Sequence, residues 1–132
     1  MPSVQGIDHI ELTVRDAEVS AAWYEKVLGF HVRGVHHPEN AYLIVMGHLS
    51  GTILGLWQHG EQPATDLFSE FRTGLDHIAF RVSTRDEIGD WTAHFAALGV
   101  EHSEPEDAGQ YGVVLTFRDP DNIQLEVYWR PD

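Results

Sequence analysis

The chain has 132 residues, with 21 Asp and Glu against 8 Lys and Arg, and therefore a formal charge of −13 at pH 7. This length suits one compact domain, and the acidic balance argues against nucleic acid and anionic membranes as partners. The absence of cysteine excludes disulfides and thiolate metal sites, and the missing leader and spanning apolar run predict a cytoplasmic protein.

An internal repeat organises the sequence. The stretch GIDHIELTV at 6–14 returns as GLDHIAFRV at 74–82, which places His9 on His77. The same shift places Trp23 on Trp91, and two further pairs of segments match with a drift of one or two residues, VLGF at 27–30 with ALGV at 97–100 and YLIVMGH at 42–48 with YGVVLTF at 111–117. The sequence therefore predicts two copies of one module.

The first copy predicts a strand, a helix and three further strands. Apolar residues from Ile10 to Val14 alternate with polar ones, which is typical of a strand. Asp16 is expected to begin the helix and Gly29 to end it. The apolar stripe of this helix is predicted to consist of Val19, Ala22, Trp23 and Val27. The three strands are expected at about 30–36, 41–48 and 52–58.

The second copy predicts the same order after a polar, Pro-containing linker at about 61–73. A helix is expected to begin in the Thr84-Arg85-Asp86 stretch and to end at Gly99, with an apolar stripe of Ile88, Trp91, Phe95 and Leu98. Its three strands are expected at about 100–104, 112–118 and 123–129. The whole chain, 1–132, is thus predicted to be a single α+β domain. Two tandem βαβββ modules, at about 4–60 and 74–130, are expected to form a curved mixed sheet around a cavity.

The repeated histidines suggest that a metal occupies this cavity. Residues two apart on a strand share a face, so His9 and His77 are expected opposite the apolar, core-facing side. On the last strand, IQLEVYW, Glu126 faces the same way and is the one carboxylate there. Two imidazoles and one carboxylate leave positions open on a divalent ion. We therefore predict one Fe, Mn, Zn, Ni or Co ion held by His9, His77 and Glu126, although each residue taken singly could be solvated or structural.

Other polar and aromatic residues are predicted to surround the metal. Glu11, two residues after His9, is the candidate general base, or alternatively a solvated acid or a partner of a ligand histidine. Arg81 either binds a substrate carboxylate or pairs with Glu11. Three aromatic residues are expected to line a substrate pocket unless they serve packing alone, namely Trp57, Tyr111 and Tyr128.

The segments DHIELTV, DHIAFRV, LGF and FRDPDNIQLEVY, in the doubled βαβββ order, resemble the vicinal oxygen chelate superfamily, which covers about Val4 to Trp129 of this chain. That superfamily includes glyoxalase I, methylmalonyl-CoA epimerase, fosfomycin-resistance thiol transferases, extradiol dioxygenases and bleomycin-resistance proteins. The resemblance implies ligands on the first and last strands of each module. Three of these places are His9, His77 and Glu126, but the fourth falls on Gly55 or Leu56, neither of which binds metal. This departure argues against the glyoxalase I and epimerase reactions.

A set of three ligands resembles that of the fosfomycin enzymes and the extradiol dioxygenases. This sequence departs from each of these two groups at one catalytic position. Thr116 stands where the dioxygenases carry a catalytic Tyr, and Glu11 stands where the fosfomycin enzymes carry a hydroxyl residue. The leading hypothesis is a lyase- or dioxygenase-type metalloenzyme that activates a small vicinal-oxygen substrate, by extradiol-like ring cleavage or another oxygenation. The alternative is an antibiotic-resistance protein, either a thiol transferase or a metal-free drug-binding protein. The resemblance also implies a homodimer whose site could span the subunit boundary.

Overall fold

The computed structural model describes residues 1–131, and the chain divides into two compact units between Asp66 and Leu67. In the described residues, each unit contains one α-helix and a four-stranded mixed sheet, which confirms the predicted α+β class and the repeated βαβββ order. The two matching segments that contain His9 and His77 therefore begin equivalent folds. Neither helix in this part of the chain has the length and apolar composition needed to cross a membrane.

The first unit places its parallel strand pair at one edge of the sheet. The strand order is β1-β4-β3-β2, with β1 parallel to β4 and the other neighbours antiparallel. Its elements are β1 (Ile10–Thr13), α1 (Ala17–Leu28), β2 (His31–His36), β3 (Tyr42–Gly47) and β4 (Ile53–Gln58).

The second unit repeats this topology with the order β5-β8-β7-β6, and β5 is parallel to β8. Its elements are β5 (Ile78–Arg81), α2 (Glu87–Leu98), β6 (Glu106–Asp107), a 3-10 turn (Gly109–Tyr111), β7 (Val113–Arg118) and β8 (Gln124–Trp129).

The helix boundaries follow the predicted signals. The side chain of Asp16 accepts hydrogen bonds from the backbone N–H groups of Glu18 and Val19, both at 3.0 Å. Gly29 and Gly99 end the two helices in the left-handed conformation, with φ of 74° and 69°. Asp86 makes no such cap; instead the carboxylate of Glu87 accepts the N–H of Thr84 at 2.7 Å.

The predicted stripe of α1 is wrong at two positions. Val19 is 56% exposed and Ala22 is also exposed. The buried residues of this helix are Ala17, Ser20, Ala21, Tyr24, Val27 and Leu28. Val19 stands about 200° around the helix from Ala17, on the solvent side. The buried phase is set by Tyr24, whose ring is fully buried and packs edge-on against Phe30 at 6.0 Å.

The strand predicted at 100–104 is also wrong. His102 makes only an isolated bridge with Phe117, and the strand that pairs with the outer edge of β7 is the short β6. This segment, EHSEP, is polar and lacks an alternating apolar face, and Pro105 cannot donate a ladder hydrogen bond. Regular pairing therefore begins only after the proline.

The burial of the edge strands separates a core face from an open face. Leu12 and Val14 are buried, whereas His9, Glu11 and Thr13 are exposed. On β8, Leu125 and Val127 are buried, whereas Glu126 between them is only partly covered. The burial pattern therefore places these polar residues on the open faces of the two sheets. Strand alternation thus keeps packing and polar chemistry on opposite sides of each sheet.

Part of the segment predicted as a linker packs within the second unit. The N–H of Phe68 donates to the carbonyl of Asp121 at 2.9 Å, and Asn122 donates back to the carbonyl of Phe68 at 3.0 Å. Glu70 accepts two hydrogen bonds from the guanidinium of Arg118, at 2.8 and 3.1 Å. These contacts fasten residues 68–70 to β7 and to the turn between β7 and β8.

The Glu70–Arg118 pair predicts a pH-dependent stability. Its hydrogen bonds lower the pKa of Glu70 from 4.5 to about 2. Because the folded pKa lies below the unfolded one, this stabilisation is present above about pH 4.5 and is lost as the pH falls towards 2. In Glu70→Gln the free energy of unfolding should therefore fall less steeply with decreasing pH, by up to about one proton in the linkage slope. Urea unfolding across this window measures it, and Glu101→Gln, at an exposed position, is the control. Equal slopes in Glu70→Gln and wild type would contradict the prediction.

Candidate metal centre

The second unit brings His77 and Glu126 together. His77 directly precedes β5, and the parallel register places Ala79 opposite Glu126, so that both face the open side of the sheet. The Nε2 atom of His77 lies 3.4 Å from Oε2 of Glu126. The Glu126 side chain is 15% exposed and that of His77 is 40% exposed, so the pair sits at the bottom of an accessible depression.

Asp76 fixes the orientation of the His77 ring. Its carboxylate lies 2.6 Å from Nδ1, which therefore carries the proton of the neutral ring and leaves Nε2 as an acceptor. A carboxylate backing an imidazole in this way is the usual support of a metal-ligating histidine. Two acceptors, Nε2 and the Glu126 carboxylate, then face each other and need a cation or a proton between them. Two donors about 2.1 Å from a tetrahedral ion stand roughly 3.4 Å apart, so this pair fits a divalent metal.

Partial burial makes the charged form of the Glu126 carboxylate less favourable. Desolvation raises the pKa of Glu126 above its ordinary value, and the negative charges of Asp76 and Glu106 raise it further, while His77 opposes the shift. A partly buried carboxylate among like charges is stabilised by a positive partner. The electrostatics of this pair therefore favour a bound cation.

The first unit contains a similar pair. The Asp8 carboxylate lies 2.7 Å from Nδ1 of His9, and Nε2 of His9 lies 3.8 Å from Oε1 of Glu11. The hydrogen bond to Asp8 raises the pKa of His9, desolvation opposes this, and the charge of Glu11 adds to it. The indole N–H of Trp57 donates to Oε2 of Glu11 at 2.7 Å. Each unit thus presents an Asp-backed histidine facing a carboxylate.

Three donors do not converge within either unit. Across residues 1–131, no group of three or more His, Asp or Glu side chains is arranged to hold a metal ion. The structure brings His77 and Glu126 together in the second unit, and His9 and Glu11 in the first. The three-ligand set of His9, His77 and Glu126 therefore stays a prediction.

The strand register identifies the empty fourth place as Gly55. Gly55 of β4 pairs with Glu11 of β1, as Glu126 of β8 pairs with Ala79 of β5. Leu56 points to the core and is fully buried. A Cβ atom at Gly55 would stand 2.8 Å from Cγ of Glu11, so a side chain there competes with Glu11 for the same space.

One cavity contains the His77–Glu126 pair, and another lies beside Trp57 in the first unit. In the second unit, a cavity of about 550 Å³ contains His77 and Glu126 and is lined by three of the predicted pocket residues, Arg81, Tyr111 and Tyr128, together with Arg130. In the first unit, Trp57 lines a separate cavity of about 640 Å³, where its ring stacks on that of His59 at 5.6 Å. The Tyr128 hydroxyl donates to the Tyr111 carbonyl at 2.6 Å, which fixes the second cavity's aromatic wall.

Sequence reasoning missed the two aspartates that support the histidines. Asp8 and Asp76 precede His9 and His77, and the repeated "DHI" was the signal that could have found them. Arg130 lies beyond the repeat, and the contact between Trp57 and Glu11 depends on the pairing of β1 with β4. No local sequence pattern indicates the position of Arg130 in the cavity or the Trp57–Glu11 contact.

Comparisons with known proteins agree with this architecture. A family model described as Glyoxalase/Bleomycin resistance protein/Dioxygenase superfamily matches residues 6–127. The chain is 30% identical to a glyoxylase/bleomycin resistance protein/dioxygenase domain from Frankia sp. EAN1pec, with a TM-score of 0.89 over 98% of this chain and 95% of that one. A glyoxalase family protein from Enterococcus faecalis is 24% identical, with a TM-score of 0.72 over 94% and 97% of the two chains.

A more distant similarity extends to a resistance protein. A mutant of the fosfomycin resistance protein FosX from Listeria monocytogenes, complexed with Mn(II) and dihydroxypropylphosphonic acid, is 20% identical. Its TM-score is 0.73, over 98% of this chain and 95% of that one. At this identity the similarity establishes a shared fold.

Proposed function

The chain belongs to the glyoxalase/bleomycin resistance protein/dioxygenase superfamily, and from this premise we propose that it is a metal-dependent enzyme acting on a small molecule with two adjacent oxygen atoms. The observation that carries the proposal is the His77–Glu126 pair, with Asp76 behind the imidazole, in a cavity of about 550 Å³. A perturbed carboxylate beside an oriented histidine in a cavity is a common mark of a functional site.

His77, Glu126 and His9 are the residues that would hold the metal. FosX, which shares the fold, was crystallised with Mn(II), and two imidazoles with one carboxylate also suit Fe(II), Zn(II), Ni(II) and Co(II). When bound, such an ion supplies Lewis-acid polarisation of oxygen and a template for a bidentate substrate. The protein's own part is to aim Nε2 of His77 by means of Asp76 and to hold Glu126 partly away from water.

The cavity wall indicates what kind of substrate these residues would orient. Arg81 and Arg130 are two of only eight Lys and Arg residues in an acidic chain, and both line this cavity. Their guanidinium groups favour a substrate with carboxylate, phenolate or other anionic oxygen. The rings of Tyr111 and Tyr128 supply flat apolar surface beside them. We therefore place small, flat oxyanions first among the substrates.

The proposed reaction is ring cleavage or another oxygenation, and a lyase-type reaction is also proposed. Thr116 pairs with Glu126 across β7 and β8, so a hydroxyl group without a phenol's acidity stands beside the carboxylate. The predicted role of Glu11 as general base stays a prediction. We also propose a homodimer, because the edge strand β2 exposes Val32 and Val35 at 47% and 45%; a single-chain mass in light scattering would contradict it.

An antibiotic-resistance function is the second candidate. FosX shares the fold, so thiol transfer to a drug is one form of this candidate function. The first-unit cavity favours the other form, a metal-free drug-binding protein. That cavity offers a stacked Trp57–His59 wall of the kind that holds flat ligands. A drug-binding protein would gain thermal stability from the compound after chelation of all metal, whereas the metalloenzyme would not.

Metal content tests the proposed function directly. Protein purified anaerobically should contain about one divalent ion per chain, and Glu126→Ala should contain much less, because the variant loses a ligand. Elemental analysis of both measures this, with Glu101→Ala as a control at an exposed position. Iron in the wild type would direct the assays to catechols and oxygen uptake. A wild type that takes up no metal even after reconstitution would contradict the proposal.

A further inference from the structure

We propose that Glu11 is a metal ligand, supplied from β1 in place of the carboxylate that β4 lacks at Gly55. This inference rests on the proposed function, because it assigns a further residue to the same metal. In the second unit, one row across the sheet reads Ala79, Glu126 and Thr116. In the first unit, the equivalent row reads Glu11, Gly55 and Val45. Each row has one carboxylate beside a residue with little or no side chain. In the second unit the carboxylate is on the last strand, β8, and in the first unit it is on the first strand, β1.

The contacts of Glu11 suit a ligand that binds through one oxygen. Oε2 accepts the indole N–H of Trp57 at 2.7 Å, which fixes the carboxylate. Oε1 points to Nε2 of His9 at 3.8 Å, as Oε2 of Glu126 points to Nε2 of His77 at 3.4 Å. Metal-binding carboxylates are commonly held by such a hydrogen bond on the oxygen that does not coordinate.

Gly55 makes the exchange possible. A Cβ atom at this position would stand 2.8 Å from Cγ and 3.1 Å from Oε1 of Glu11. Gly55 has a backbone conformation that other residues can also adopt. Its lack of a side chain is therefore explained by the Glu11 side chain, which occupies the adjacent space. A carboxylate from position 11 and one from position 55 are therefore alternatives for one place on the face of the sheet.

The equivalence of the two pairs extends this to the metal. Both histidines are held at Nδ1 by the preceding aspartate, and both turn Nε2 towards a carboxylate oxygen. The turn of His77 towards Glu126 is therefore repeated by His9 towards Glu11, at a longer distance of 3.8 Å and with a more exposed carboxylate. Glu11 thus stands to an Asp-backed histidine in the first unit as Glu126 does in the second.

Mn(II) affinity tests the role of Glu11. Titration followed by the EPR signal of free Mn(II) should show binding weakened by about 10- to 100-fold or more in Glu11→Gln, and by about 10-fold in Trp57→Phe, which removes the fixing hydrogen bond. Unchanged affinity in Glu11→Gln, with weakened affinity in Glu126→Gln, would overturn the ligand role and leave the proposed function standing. Unchanged affinity in Glu126→Gln would instead overturn the proposed function.

Exchanging the two positions gives a second test. The double variant Glu11→Ala/Gly55→Glu gives the first unit the arrangement of the second, and it should bind Mn(II) within about tenfold of wild type, well above Glu11→Ala. Gly55→Ala alone should lower the melting temperature more than the same change made in Glu11→Ala, because the contact with Cγ is then gone. A folded double variant that binds no better than Glu11→Ala would overturn the exchange, and if it does not fold, Glu11→Gln decides.

Discussion

His77→Ala is expected to weaken Mn(II) binding by at least about 100-fold, because it removes one of the proposed metal ligands, whereas loss of a supporting contact usually costs about 10- to 100-fold. The same change should leave the free energy of unfolding within about 0.5 kcal/mol of wild type. The His77 side chain is 40% exposed and takes no part in the core of the second unit. Isothermal titration of Mn(II) and urea unfolding measure the two quantities independently.

Two further variants test whether the loss of affinity is specific to the His77 site. Asp76→Ala removes the carboxylate at Nδ1 and should weaken binding by about 10- to 100-fold, because the ring is then free to turn Nε2 away. His31→Ala removes an exposed imidazole at the start of β2 and should change nothing. If His31→Ala lowered the affinity as much as His77→Ala, binding would be nonspecific attraction of a cation to an acidic surface.

Much of the fold could be predicted because its signals are local. Alternation on β1 and β8 indicated their buried faces. Asp16 marked the start of α1 through its side-chain cap, and Gly29 and Gly99 marked helix ends through their left-handed backbone conformation. The errors arose where several local signals compete. On α1, Val19 and Tyr24 offered different apolar phases, and the tertiary contact of Tyr24 with Phe30 decided between them.

The candidate site was predictable only as far as the repeat reached. Duplication singled out His9 and His77, and alternation placed Glu126 on the open face. The place of Gly55 opposite Glu11 depends on the pairing of strands more than 40 residues apart in the chain, and no local pattern encodes that register. Residues whose role depends on a distant strand are therefore the ones that sequence reasoning left ambiguous.

Strand alternation also separates the residues that stabilise the second unit from those proposed to form its metal site. Phe117 and Leu125 face α2, while Thr116 and Glu126 face the open side. A change on one face should therefore alter stability with little effect on metal affinity, and a change on the other should do the reverse. The His77 variant examines the open face, and a core variant examines the buried one.

Phe95→Ala is expected to lower the free energy of unfolding by about 3–5 kcal/mol, as large aromatic truncations in cores do. Phe95 is fully buried and lies between α2 and β7, with its ring 4.5 Å from that of Phe117 and 5.4 Å from that of Trp91. Urea unfolding measures the loss, and Phe71→Ala, at a side chain 91% exposed, should stay within about 0.5 kcal/mol of wild type. Under conditions where the variant remains folded, its Mn(II) affinity should match the wild type. A cost below about 1 kcal/mol would contradict the packing of α2 on β7, and a parallel loss of metal affinity would show that the two faces are coupled.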